Sequence, residues 1–149
     1  MVGEAFCILR GEEMAEKERL ASTCEGGMTG LGDDFFDRQR LSEQGVKDFI
    51  EKPEVFAGNT ASEKLFLNFY KTALANAPKP AQMQQQIYKV FQAQLLSKQQ
   101  DVPGLSTEMI KDITIRKGAE SLLYYRTAFN HPPRNGEEKM LYCLGGLMQ

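Results

Sequence analysis

Three of the six aspartates in this chain fall within five positions, in Gly32-Asp33-Asp34-Phe35-Phe36-Asp37. On a helix, Asp33 and Asp37 stand one turn apart on the same face, with Asp34 about 100° round from Asp33. Like charges at that spacing repel. A hard divalent cation removes the penalty: Mg²⁺ takes carboxylate oxygens and keeps waters and substrate phosphates as its other ligands. The same aspartates also suit a solvated helix start, where they complement the positive end of the dipole. Spacing alone leaves both readings open. An EF-hand does not fit, because Phe35 falls on a ligand position and no Glu closes the loop. A phosphate loop does not fit either, since Gly27-Met28-Thr29-Gly30-Leu31-Gly32 runs into Asp rather than Lys.

The flanking residues narrow the setting. Phe35 and Phe36 require part of this helix to face a core. Gly26, Gly27, Gly30 and Gly32 lie just upstream, and each costs about 1 kcal/mol relative to Ala inside a helix. Glycines there either end the helix or admit a close neighbour, a substrate or another helix. Arg116-Lys117 is the one basic pair in the middle of a long apolar-faced helix. Its cations either snorkel to solvent or meet a phosphate. Leu144-Gly145-Gly146-Leu147-Met148-Gln149 places two glycines in mid-helix, for close packing or a cavity wall. The single histidine, His131, precedes Pro132-Pro133 and reads as a loop residue. The three cysteines, Cys7, Cys24 and Cys143, have neither metal-ligand spacing nor the number for a full disulfide framework. They read as free thiols of a reducing compartment.

The elements that position these residues read as helices throughout. Residues 4–24 are rich in helix formers. Ser42 caps a short helix that ends before Pro53, with Val46, Phe49 and Ile50 as its apolar stripe. Thr60-Ala61-Ser62-Glu63 has the form of a capping box, followed by Leu65, Phe66, Phe69, Tyr70 and Leu74 at helical spacing. A helix starts near Pro80, with Met83, Ile87, Val90, Phe91, Leu95 and Leu96 on one face. The cluster Gln82, Gln84, Gln85 and Gln86 reads as solvated. Ser106 or Thr107 opens a long helix to about residue 128. A last helix begins near Glu137 and runs to the end of the chain. No strand alternation or internal repeat is present.

Length and composition exclude several classes. With 149 residues, 42% hydrophobic and 26% charged, the chain suits one globular helical domain, 1–149. Eighteen Lys and Arg against 20 Asp and Glu give a net charge of −2, without the basic surplus of a nucleic-acid binder. No apolar run approaches the ~18 residues of a membrane span, and the first residues do not resemble a signal peptide. Both ends are abruptly apolar, so the domain is expected to be part of a longer chain.

Together, Asp33-Asp34-Phe35-Phe36-Asp37, Lys117-Gly118-Ala119 and Leu144-Gly145-Gly146-Leu147-Met148-Gln149 resemble the class I isoprenoid synthase family, the trans-prenyl diphosphate synthases and their terpenoid synthase relatives. The aspartate segment is similar to that family's first aspartate-rich motif. Lys117-Gly118-Ala119 is similar to its lysine motif, with Gly118 where Thr is usual. The segment from Leu144 resembles the stretch before a further acidic motif, with Met148 where an aromatic residue is common. The resemblance implies an all-α antiparallel bundle of about six helices, forming an incomplete part of a larger isoprenoid-synthase-like domain. It implies Mg²⁺ on Asp33, Asp34 and Asp37, an isoprenoid diphosphate held also by Lys117, Arg116 and Gln149, and a dry pocket for which Phe36, Phe91, Tyr124 and Tyr125 are candidate lining residues, each with core packing as its alternative role. It further implies a cytoplasmic, homodimeric transferase. The 149 residues alone, lacking the further acidic motif, are expected to be inactive. The competing readings are a helical protein-interaction module without catalysis, and an inactive relative that still binds a polyprenyl diphosphate.

Overall fold

A computed structural model of the chain describes residues 2–39, 42–101 and 103–148, and the side chains of all of these except 2, 6, 9, 33–39 and 101. Among the described residues there are helices and turns and no strand. Seven α-helices follow one another in the described residues: α1 (Val2–Arg10), α2 (Glu16–Gln39), α3 (Glu43–Glu51), α4 (Ala61–Asn76), α5 (Pro80–Ser97), α6 (Thr107–Arg126) and α7 (Glu137–Leu147). Short 3₁₀ turns lie at Pro53–Val55 and Lys98–Asp101. The all-helical class is as expected, but there is one helix more than the sequence suggested.

The extra helix arises at Gly11. A single helix over 4–24 is interrupted there, because Gly11 takes a φ of +69°, which side chains other than Gly's disfavour. Gly11 N–H donates to the Ile8 carbonyl and Glu12 N–H to the Cys7 carbonyl, each at 3.0 Å. That pair of bonds is a Schellman closure, with Gly at the position that ends the helix. Helix formers on both sides conceal the stop in a propensity reading. The chain resumes where Glu18 reaches back and accepts from the Ala15 N–H at 2.9 Å.

The reverse happens downstream: α2 runs unbroken through all four glycines. Two of them face α4. A Cβ on Gly27 would lie 2.9 Å from the Phe69 ring, and one on Gly32 would lie 3.5 Å from the Phe66 ring. Tertiary packing of aromatic rings against bare backbone thus supports a helix that propensity alone would not.

The other expected caps form. Ser42 Oγ accepts from Gly45 N–H at 3.1 Å. Thr60 and Glu63 exchange side-chain bonds in a complete capping box. Ser106 Oγ accepts from Met109 N–H at 3.2 Å, so α6 begins at Thr107.

The chain packs as two units. The first is Met1–Gln84 with Tyr125–Asn130, and the second is Gln85–Tyr124 with His131–Gln149. In the first, the expected α3 stripe of Val46, Phe49 and Ile50 is buried. Phe49 stacks on Phe66 and on Tyr70, with ring centroids 5.8 and 5.4 Å apart, and meets Phe56 edge-on. Burial pushes the Tyr70 phenol well above its ordinary range, and its hydroxyl donates to the Ile50 carbonyl at 2.9 Å. A smaller apolar cluster joins Cys7, Ala21, Ala128 and Phe129, with Met14 beside it. In the second unit, Ile87, Phe91, Ala93, Ile113, Leu122 and Leu141 are buried.

The glutamine cluster is not simply solvated. Gln82 and Gln85 are exposed, but Gln84 donates to the Ile50 carbonyl at 2.9 Å within the first unit. Gln86 is buried and donates to the Glu120 carboxylate at 2.7 Å within the second. An amide side chain can close a backbone or carboxylate acceptor that an apolar residue would leave unsatisfied.

Candidate functional site

The acidic motif lies near the end of α2. The backbone there is helical through Gln39, so positions 33 and 37 are one turn apart. The side chains of Asp33, Asp34, Phe36 and Asp37 lie outside the described residues, as does Gln149. Among the described side chains, no group of three His, Cys, Asp or Glu converges in the manner of a metal site. No helix among the described residues is long and apolar enough to cross a membrane.

Lys117 and Arg116 sit in the middle of α6, both half-buried. Among the described residues neither cation has an ion-pair or hydrogen-bond partner. The lysine's neighbourhood is built by glycine. A Cβ on Gly145 of α7 would collide with the Gly118 carbonyl oxygen and lie 2.6 Å from its carbon and 2.7 Å from Ala119 Cα. A Cβ on Gly146 would lie 2.9 Å from the Ile115 side chain. Two of the three motif segments, Lys117-Gly118-Ala119 and Leu144-Gly145-Gly146, therefore meet backbone to backbone. Of the two roles open to the α7 glycines, close helix packing is the one realised. The acidic motif belongs to the first unit, and Lys117 to the second.

The aromatic candidates have separate settings. Phe91 is buried, with its ring 6.5 Å from that of Tyr88. Tyr124 is buried. Tyr125 shares a hydroxyl–hydroxyl bond with Thr29 of α2. In the second unit, a hollow of about 300 Å³ is lined by Leu96, Gln99, Glu108, Met109, Asp112 and Ile113. Lys117 is not part of its wall.

What the sequence reading missed is a polar face of α2 upstream of the acidic motif. Glu18, Glu25 and Thr29, at spacings of seven and four, share that face. Glu18 Oε1 accepts from Asn130 N–H at 2.7 Å, and Glu25 Oε1 accepts from the Thr127 hydroxyl at 3.1 Å. Thr29 bonds Tyr125. Glu25 is completely buried, and burial holds its carboxyl well above the usual carboxylate range, with the Thr127 bond drawing it partly back. Cys7 and Cys24 are buried, and their thiols are pushed up by that burial, with nearby carboxylates adding to it. The only sequence signal for this face was its spacing. Acidic residues at helical intervals read as solvent-facing unless a distant partner is known.

No family model, curated protein or solved structure matches this chain.

Proposed function

We propose that the chain is an Mg²⁺-dependent, isoprenoid-synthase-like transferase component that binds an allylic isoprenoid diphosphate for prenyl transfer or terpenoid synthesis. The observation that carries the reading is the helical course of α2 through its glycines to Gln39. It keeps Asp33, Asp34 and Asp37 in the helical register in which carboxylates share a cation. Three aspartates supply hard oxygen donors, the set that suits Mg²⁺, and in this reading Asp33, Asp34 and Asp37 hold it. An Mg²⁺ ion held by them would supply positive charge to offset that of a departing diphosphate. Lys117, with Arg116 beside it, adds positive charge to the diphosphate oxygens. Supporting this role, both cations are half-buried and have no carboxylate partner among the described residues. The reading brings with it the antiparallel bundle of that family, a cytoplasmic setting, a homodimer and Gln149 on the diphosphate side.

Calorimetric titration of inorganic diphosphate, with and without Mg²⁺, tests it on the wild type, Asp33→Ala and Lys117→Ala. The expected result is binding that requires Mg²⁺ and weakens at least about tenfold in each variant, a loss of about 1.4 kcal/mol. Binding without Mg²⁺, or no change in either variant, overturns it.

One observation favours the interaction-module reading. Met140, Leu144 and Leu147 of α7, with Met148 at its C-cap, form an exposed apolar stripe, at the spacing with which a helix meets a partner. A chain that self-associates or captures helical peptides, yet ignores diphosphate with Mg²⁺, fits that reading instead.

A further inference from the structure

Among the described residues, Tyr125–Asn130 is the one stretch beyond Gln84 that packs with the first unit. It is fastened to α2 at three points: Asn130 to Glu18, Thr127 to Glu25 and Tyr125 to Thr29. The middle one stands apart, because it leaves a buried polar atom without a partner among the described residues. Glu25 has no exposed surface, and its second oxygen, Oε2, is buried with no hydrogen-bond partner among the described residues. The Thr127 hydroxyl faces it from the segment, and the Cys24 thiol adjoins it on α2. Among the described residues no cation from α1, α3, α4 or the segment offsets a negative charge there.

A carboxylate in that position would leave one charged oxygen neither solvated nor bonded, which is costly. A neutral carboxyl avoids most of that cost and keeps the Thr127 bond. We propose that Glu25 is a proton-held latch: neutral, it keeps Tyr125–Asn130 seated on α2, and its ionisation lets the segment lift away.

The direction follows from linkage. The seated form keeps a proton on Glu25 at pH values where the lifted form, with Glu25 in water, has lost it. Seating is therefore strongest in acid. It weakens as pH rises above the ordinary carboxyl value of 4.5, by up to about tenfold in the opening equilibrium per pH unit. The slope ends where the seated carboxyl itself ionises.

Hydrogen exchange on the full chain tests this, corrected for the intrinsic pH dependence of exchange. The reporters are the Phe129 amide, which donates to the Arg126 carbonyl, and the Asn130 amide, which donates to Glu18. In the wild type, protection at both is expected to fall by up to about tenfold per unit as pH rises above about 5, until the seated carboxyl itself ionises. In Glu25→Gln, which is neutral at any pH and keeps an acceptor for Thr127, it is expected to stay flat. Protection that is flat in the wild type, or that falls equally in both proteins, overturns the latch. Should Glu25→Gln fail to fold, the ¹³C shift of the wild-type Glu25 carboxyl decides. A midpoint well above 4.5 alongside the falling protection supports the latch, and one near 4.5 overturns it.

Discussion

At the scale of single residues, glycine shows how little a residue type means without its neighbours. Gly26 and Gly145 both sit inside helices. Nothing lies within 4 Å of where a Cβ on Gly26 would be, whereas one on Gly145 would run into the Gly118 backbone. Gly26→Ala should therefore stabilise the chain by about 0.5–1 kcal/mol, the usual helix-interior gain. Gly145→Ala should destabilise it by about 1–3 kcal/mol, because backbone cannot rotate out of the way as a side chain can. Urea unfolding of the two variants beside wild type checks both signs. The sequence supplied the alternatives, closeness or a break for the α2 glycines and close packing or a cavity wall for Gly145, but not the choice. That choice depends on Phe69 for Gly27 and on Gly118 for Gly145, residues far away in the chain. Lys117 was legible as an unusual cation. That its neighbour Gly118 is the floor for another helix was not.

At the scale of elements, local chemistry was the readable part. Caps are decided within four residues, so Ser42 and Thr60 could be assigned from sequence and the α6 cap narrowed to Ser106 or Thr107; Ser42 and Thr60 bond as expected, and Ser106 is the α6 cap. The box at Thr60 also has a measurable weight. Thr60→Ala removes the acceptor of the Glu63 N–H and should cost about 1 kcal/mol, seen as a lower urea midpoint at unchanged slope. The α1–α2 break was missed because strong helix formers surround Gly11, and its φ of +69° is a property of the turn rather than of composition. The polar face of α2 was missed for a different reason. Glu25 and Thr127 are 102 positions apart, and no periodicity in one helix reveals an acceptor's partner in another segment. The acidic motif was legible as a spacing because Asp33, Asp34 and Asp37 need only their own helix to define it.

At the scale of the whole molecule, two packed units share a chain that passes from the first to the second within α5, back within α6, and to the second again after Asn130. The three thiols are distributed unevenly: Cys7 and Cys24 are buried in the first unit, and Cys143 is exposed in the second. A neutral aromatic disulfide reagent should therefore modify one thiol promptly, at Cys143, and the other two only as fast as the first unit opens. Peptide mapping of the early product checks the assignment. Labelling of all three at one rate would contradict the burial.

Cys7 packs with Ala128 and Phe129, the residues between the Thr127 and Asn130 anchors. Its sulfur is thus roofed by the very stretch that Glu25 holds down. Alkalinity then acts on it twice, lifting the roof and sharpening the nucleophile beneath, so its labelling rate should climb more steeply with pH than thiol ionisation alone allows. The molecule carries its own chemical clock for that motion, with Cys143 as the built-in reference.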